Sequence, residues 1–267
     1  MDRRTFLKAL GAALAVSVIE EKIVAAGDAH VHASVPGGPA QQIAMLVYPN
    51  LIPLDLFGPH AVFAALGNVQ VHLVWKTRDI VVSHNGIPIQ PTATLESCPD
   101  NLDILFVPGG LKGTIAIMND PQIMAFLQDR GKRARYVTSV CTGSLALGAA
   151  GLLHGYKATS HWQVRDLLPL MGAEVVAERV VEDRNRITGG GVTAGIDFGL
   201  LMAARLRSED FAKMLQLVFE YDPRPSFHAG SPKTADEHLV RHLQIRRTAE
   251  LDAARKAAQE AGRRLHL

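Results

Sequence analysis

The stretch Arg135–Leu153, RYVTSVCTGSLALGAAGLL, permits few backbones. A β-branched run, Tyr136–Val140, stops at Cys141. The small residues Thr142, Gly143 and Ser144 follow, and then a helix-like run of Leu and Ala. A strand that turns sharply into a helix lifts the residue at the turn off the carboxyl edge of a sheet. This is the logic of the G-x-S-x-G nucleophile elbow, with sulfur in place of oxygen. The start of the following helix offers free N–H groups and a partial positive charge, which favour thiolate over thiol. The small residues let a substrate approach closely. A buried, inert thiol fits the same local pattern, and the elbow by itself does not choose between the two.

The rest of the chain alternates apolar strands with helices. Ile43–Tyr48 is a continuous apolar run, as in a strand buried on both faces. Helix is expected from Asp55 to Leu66, strand over Val69–Trp75, and a hairpin of Ile80–Ser83 with Ile87–Gln90 around Asn85-Gly86. Asp103–Val107 is a strand ending at Pro108-Gly109-Gly110, and Pro121 opens a helix to about Arg130. A short strand over Gly155–Thr159 and a short helix over His161–Leu168 come next. Glu174–Glu182 and Arg186–Thr188 read as paired strands around Asp183-Arg184-Asn185. Helices are then expected over Thr193–Leu206, from the Ser208 cap to Tyr221, and from Thr234 onward. Such alternation argues for an α/β fold, an open, mainly parallel sheet covered on both faces. Ligands in such sheets bind at the carboxyl ends of the strands. Three loops fall there: the one before Asp55, the Pro108-Gly109-Gly110 turn, and the elbow.

With 267 residues, 48% of them hydrophobic, the chain can bury one large α/β core. A net charge of +2, with no basic run interleaved with aromatics, gives no sign of nucleic-acid binding. Two cysteines make no disulfide framework, and Cys98 and Cys141 lack metal-ligand spacing. The N-terminus is a separate object. Asp2-Arg3-Arg4-Thr5-Phe6-Leu7-Lys8 followed by the apolar run Ala9–Ile19 resembles a twin-arginine (Tat) export signal. The apolar run is too short to span a bilayer, so no stable membrane anchor is expected. The expected organisation is a signal and disordered linker over 1–39, an α/β domain over 40–232, and a helical extension over 233–267. The compartment expected is the periplasm, reached through the Tat machinery, with the cytoplasm as the alternative.

Five segments carry a further resemblance. They are Leu54-Asp55-Leu56-Phe57-Gly58-Pro59, Val107-Pro108-Gly109-Gly110, Thr138-Ser139-Val140-Cys141-Thr142-Gly143-Ser144, Ala158-Thr159-Ser160-His161-Trp162, and Thr188-Gly189-Gly190-Gly191-Val192-Thr193-Ala194-Gly195-Ile196-Asp197. Together they resemble the ThiJ/PfpI superfamily, and within it the isonitrile hydratase branch. The resemblance implies a flavodoxin-like three-layer sandwich, a homodimer, a small-molecule substrate, and neither metal nor organic cofactor. It makes Cys141 the nucleophile, sets Asp55 beside the sulfur, and gives Thr142 as the partner after the cysteine. Superfamily members with proposed hydrolase triads carry His directly after Cys; Thr142 at that place counts against a Cys-His pair.

The implied reaction is hydration of an isonitrile to an N-substituted formamide. It suits Asp55 as acid and then base, with a pKa raised by burial and by the neighbouring sulfur. A helix N-cap is the other use for this Asp. The Thr142 hydroxyl positions Asp55 or water, or Thr142 is an ordinary first-turn residue. Its backbone N–H, with that of Gly110, is placed to stabilise developing negative charge. Gly109, Gly110, Gly190, Val192 and His161 are the expected substrate-binding residues, with His161 on the short helix as a pocket wall. Gly189–Gly191 reads as close backbone packing beside the cysteine helix. Cys98 reads as incidental, and Asp197 as a cap or pairing residue.

Two other classes fit the sequence less closely: another thiol enzyme of the superfamily acting on reactive aldehydes or their adducts, and a non-enzymatic ligand or redox sensor. A regulator's DNA-binding unit needs about 100 residues, far more than Thr234–Leu267. In that last segment Leu239, Val240, Leu243, Ile245 and Leu251 supply apolar positions. They serve either a dimer interface or packing on the same subunit.

Overall fold

The computed structural model describes residues 37–267. The twin-arginine pattern and the apolar run after it lie outside the described residues. A seven-stranded sheet forms the centre. Its strands are β1 (Gln41–Leu46), β2 (Val69–Trp75), β5 (Ala93–Thr94), β6 (Ile104–Val107), β7 (Tyr136–Val140), β10 (Val180–Asp183) and β11 (Arg186–Gly189), in the order β10-β11-β7-β6-β1-β2-β5. All neighbours are parallel except β10 against β11. The continuous apolar runs seen in the sequence are the central strands: β6 is buried throughout, and β1 over its last four residues. The inner order β2-β1-β6-β7-β11 is that of a flavodoxin-like sheet.

Helices cover the sheet in two groups. One comprises α1 (Pro53–Ala64), α5 (Ala194–Leu206) and α6 (Glu209–Val218); α2 (Leu111–Met118), α3 (Pro121–Arg133), α4 (Gly143–Ala149) and α8 (Thr248–Arg264) make the other, with a 3₁₀ helix over Arg165–Met171. Under α1, Phe63, Phe106 and Phe198 meet with centroids 5.6–6.2 Å apart. Helix starts follow local chemistry. Asp120 accepts from the Gln122 and Ile123 N–H groups ahead of Pro121, and Ser208 accepts from Phe211 N.

Several elements depart from the sequence expectation. The Asn85-Gly86 hairpin forms, but β3 (Val81–Val82) and β4 (Pro88–Ile89) make a separate two-stranded sheet. The run from Glu174 divides: β9 (Glu174–Val175) pairs with β8 (Lys157–Ala158), and only β10 pairs with β11. The helix expected from His161 starts four residues later, at Arg165, and is 3₁₀, so His161 and Trp162 stand in the turn before it. Helix α2 has no counterpart in the sequence reading; its start at Gly110 carries no side-chain cap.

The C-terminal segment has two parts with different fates. Helix α8 buries Ala254, Ala257, Ala258 and Ala261, a helical stripe, against the 3₁₀ helix, α2 and α4 of its own subunit. A side chain at Gly262 would sit 2.2 Å from Leu170 O, so the approach requires glycine. Leu251 also packs on the core. The preceding helix, α7 (Glu237–Arg246), buries nothing, and Leu239, Leu243 and Ile245 are exposed. No helix among the described residues is long and apolar enough to cross a membrane.

Candidate active site

The carboxyl ends of β1, β6, β7 and β11 open onto one edge of the sheet, and the loops that leave them converge. Cys141 follows β7 directly, with φ +55°, a left-handed conformation costly for a residue other than glycine. The surroundings hold it there. Its N–H donates to Gly190 O (2.6 Å) and Gly189 O (3.1 Å). Its carbonyl accepts from Ser160 Oγ (2.9 Å) and Ser144 Oγ (3.2 Å). Behind it, a Cβ at Gly143 would lie 2.2 Å from Val107 O, so only glycine lets the elbow sit this close to the neighbouring strand.

Asp55 reaches the elbow from the first turn of α1. It is not the helix cap: Ile52 holds that position, and no side chain caps the helix. Instead, Asp55 Oδ2 accepts from Gly109 N–H at 3.0 Å, and the carboxyl lies within hydrogen-bonding reach of the Cys141 thiol. Its Oδ1 is buried with no nitrogen or oxygen partner among the described residues. Burial pushes the Asp55 pKa up to about 7, partly offset by the hydrogen bonds from Cys141 and Gly109. The thiol also moves up, well above its usual range, through burial first and the adjacent Asp55 second. This corrects the expectation that the helix start favours thiolate. Cys141 is 4% exposed, and desolvation beside a carboxylate outweighs the seven-residue helix α4. At neutral pH one proton resides on the sulfur, and Asp55 is poised between its two states.

The Thr142 hydroxyl does not touch Asp55. It accepts from Gly110 N–H (2.9 Å) and bonds Thr114 Oγ1 (2.8 Å); Thr114 meets Tyr48 Oη (3.2 Å), which donates to Pro108 O (2.5 Å). One direction satisfies every group: Gly110 N–H to Thr142, Thr142 to Thr114, Thr114 to Tyr48, Tyr48 to Pro108. Thr142 thereby fixes the Pro108-Gly109-Gly110 turn. The same bond occupies Gly110 N–H, so the expected pairing of that N–H with a developing negative charge is not available. Gly109 N–H is likewise taken, by Asp55. The roles of Tyr48, Thr114 and Ser160 escaped the sequence reading because hydroxyl residues facing a core carry no local pattern that separates them from ordinary strand, helix or turn positions.

A cavity of about 100 Å³ opens over the sulfur, lined by Cys141, Thr142, Gly110, His161, Val192 and Arg247, with Ile52 and Leu111 among its apolar walls. Three of the five expected substrate-binding residues, Gly110, His161 and Val192, therefore line it. Gly109 lies beneath it: a Cβ there would meet Asp55 Oδ2 at 2.5 Å and Cys141 Cβ at 2.7 Å. Gly190 lines a neighbouring cavity of about 490 Å³, and His161 and Val192 form the wall between the two. Burial holds His161 neutral at pH 7, its pKa lowered to about 4, with Arg247 and Arg165 adding to the effect. Gln163 N–H donates to its Nδ1 (3.3 Å). Asp197 pairs with Arg179 (2.6 Å) and Tyr221, away from the sulfur. Cys98 is buried in a separate loop.

Known proteins share this arrangement of chain. The sequence profile of the DJ-1/PfpI family matches residues 41–205. An isonitrile hydratase of Pseudomonas putida is 48% identical over 228 residues, 85% of this chain and 99% of that one. A crystal structure of a ThiJ/PfpI family protein from Pseudomonas syringae is 51% identical, with a TM-score of 0.82 over 85% of this chain and 94% of the other. An HTH-type transcriptional regulator of Pseudomonas aeruginosa is 30% identical over 55% of this chain and 41% of its own length.

Proposed function

The chain belongs to the DJ-1/PfpI family, and from that premise we propose that it is a carbon–nitrogen lyase that hydrates isonitriles to N-substituted formamides. The observation that carries the reading is the buried Asp55 carboxyl beside the Cys141 thiol, with Asp55 at a pKa of about 7. The 48% identity to an isonitrile hydratase over 85% of the chain supports the substrate class.

An isonitrile's terminal carbon must gain a nucleophile and a proton together. In the singly protonated pair, Asp55 takes the thiol proton as sulfur bonds to that carbon and passes it to the same carbon. The product is a thioimidate, R–N=CH–S–Cys141. The Asp55 carboxylate then removes a proton from water as its oxygen adds to the thioimidate carbon, passes that proton to nitrogen, and takes the remaining hydroxyl proton as the carbonyl forms. The C–S bond breaks, sulfur recovers its proton from Asp55, and the formamide R–NH–CHO leaves. General acid–base assistance of this kind contributes about 10²–10⁴-fold. The unpartnered Asp55 Oδ1 is free for the proton-carrying role. Thr142 holds the Gly109–Gly110 turn in place, and Gly110, His161 and Val192 bound the substrate, with Gly109 supporting Asp55 and Gly190 the elbow. A panel of isonitriles and glyoxals tests the reading. Formamide from the isonitriles supports it; acid formation from the glyoxals with no formamide assigns the thiol to aldehydes instead.

The same reading extends to assembly and location. The exposed Leu239, Leu243 and Ile245 of α7 are suited to a homodimer contact, while α8 stays on its own subunit. Light scattering at twice the monomer mass supports the dimer, and a monomer rejects it. The Arg3-Arg4 pattern supports export through the Tat machinery.

A further inference from the structure

The joint between the two C-terminal helices sits at the mouth of the cysteine cavity. Arg247 is the shared cap, closing α7 and opening α8. Its side chain lines the cavity with Cys141, Thr142 and His161. Two contacts hold it there: Nη1 donates to Gln163 Oε1 (2.8 Å), and Nε pairs with Glu250 Oε2 (3.2 Å). Gln163 also reaches Leu243 O (3.5 Å), tying the end of α7 to the turn that carries His161. These contacts leave Nη2 without a protein partner among the described residues.

The charges stand at opposite ends: Asp55, poised between its two states, lies beside the sulfur, and Arg247 stands at the mouth. Among the described side chains lining this cavity, Arg247 alone carries a charge at neutral pH, because both the Cys141 thiol and His161 are neutral. Glu250, half exposed, faces the Nε side and leaves the outer guanidinium nitrogen open. The remaining walls are apolar or engaged: Ile52, Leu111, Val164 and Val192 offer no polar side-chain atoms, and the Thr142 hydroxyl is committed to Gly110 and Thr114. A planar guanidinium held at a cavity mouth with free N–H groups is matched to a carboxylate.

We propose that Arg247 is a substrate-binding residue that selects isonitriles carrying a carboxylate, pairing with it while the isocyano carbon lies at Cys141. The proposal rests on the isonitrile reading above and names its substrate class. A cavity of about 100 Å³ restricts the separation of the two groups to a short spacer, as in isocyanoacetate. It also gives the 233–267 segment a part in the site.

The test compares kcat/KM for isocyanoacetate and its methyl ester in the wild type, Arg247→Met and Arg247→Lys. The wild type is expected to favour the acid by about tenfold or more. Arg247→Met brings that ratio towards one, through KM for the acid, and Arg247→Lys restores part of it. A wild-type ratio of one or below overturns the proposal. So does an equal loss on both substrates in Arg247→Met, which means that Arg247 acts through Cys141 or through the fold. If the wild type hydrates neither compound, the isonitrile reading itself fails. Calorimetric binding of acid and ester to Cys141→Ala, with and without Arg247→Met, then decides the charge selection. Tighter binding of the acid that depends on Arg247 supports it, and equal binding overturns it.

Discussion

Replacing Asp55 by Asn is expected to abolish turnover and to stabilise the protein at neutral and alkaline pH. The carboxyl is fully buried, and its pKa rises from an ordinary 3.8 to about 7 in the fold. The folded state therefore holds a proton that the unfolded state releases between those values. Stability from this group is fully present below pH 3.8 and is lost as pH rises through about 7. At 1.36 kcal/mol per pKa unit, ionised Asp55 costs about 4 kcal/mol at pH 8. Asn keeps the shape, accepts from Gly109 N–H through its own oxygen, and has no charge to desolvate. Allowing about 1 kcal/mol for a weaker contact to sulfur, Asp55→Asn gains about 2–4 kcal/mol at pH 8 and almost nothing near pH 4. His161 runs the other way, since a buried neutral His adds stability as pH rises from about 4 to 6.5. The difference between the two proteins cancels it. Urea denaturation at several pH values between 4 and 8, with equal m-values, reads that difference directly. A difference that does not grow with pH, or a variant less stable than wild type at pH 8, refutes the reasoning.

The same geometry makes three further predictions. The proposed mechanism requires one proton on the Cys141–Asp55 pair, so kcat/KM on a simple isonitrile is expected to rise through pH about 7 as the pair leaves its doubly protonated state; a flat profile between pH 6 and 8 contradicts this. Gly143→Ala drives a Cβ into Val107 O and Pro108 O, both backbone atoms, and is expected to cost about 3 kcal/mol in denaturation and most of the activity. Thr142→Val strands Gly110 N–H and interrupts the Tyr48–Thr114 chain, with a loss of about 1–3 kcal/mol; Thr142→Ser recovers most of it, and a silent Thr142→Val would show that the network does not hold the turn.

The sheet and its elbow were legible because periodicity and punctuation are local signals. Continuous apolar runs marked β1 and β6, a β-branched run marked β7, and the break at Cys141 marked the turn. The flavodoxin-like order and the choice of Asp55 came from the family resemblance, since Asp at the start of a helix reads as a cap until Gly109 N–H is seen to occupy it. What stayed hidden depends on distance in the chain. Thr142 lies 32 residues from Gly110, and Arg247 lies 84 residues from Gln163. Nothing in either local sequence announces these partners. The thiol's direction was misread for a related reason: the helix start is visible in sequence, whereas desolvation by the closed site is a property of the packed fold. Helix α2 was missed because a short segment with an internal Gly and no side-chain cap has little intrinsic preference.

Formamide formation from a simple isonitrile by the wild type and by Cys141→Ala, followed by the formyl proton in NMR, tests the central claim most directly. Ala fits the elbow's small-residue surroundings, so the circular dichroism spectrum is expected to match. The account predicts enzyme-dependent formamide from the wild type and none from Cys141→Ala, with Cys98→Ala behaving as wild type. Formamide made at a comparable rate by a folded Cys141→Ala, or none made by the wild type, contradicts it.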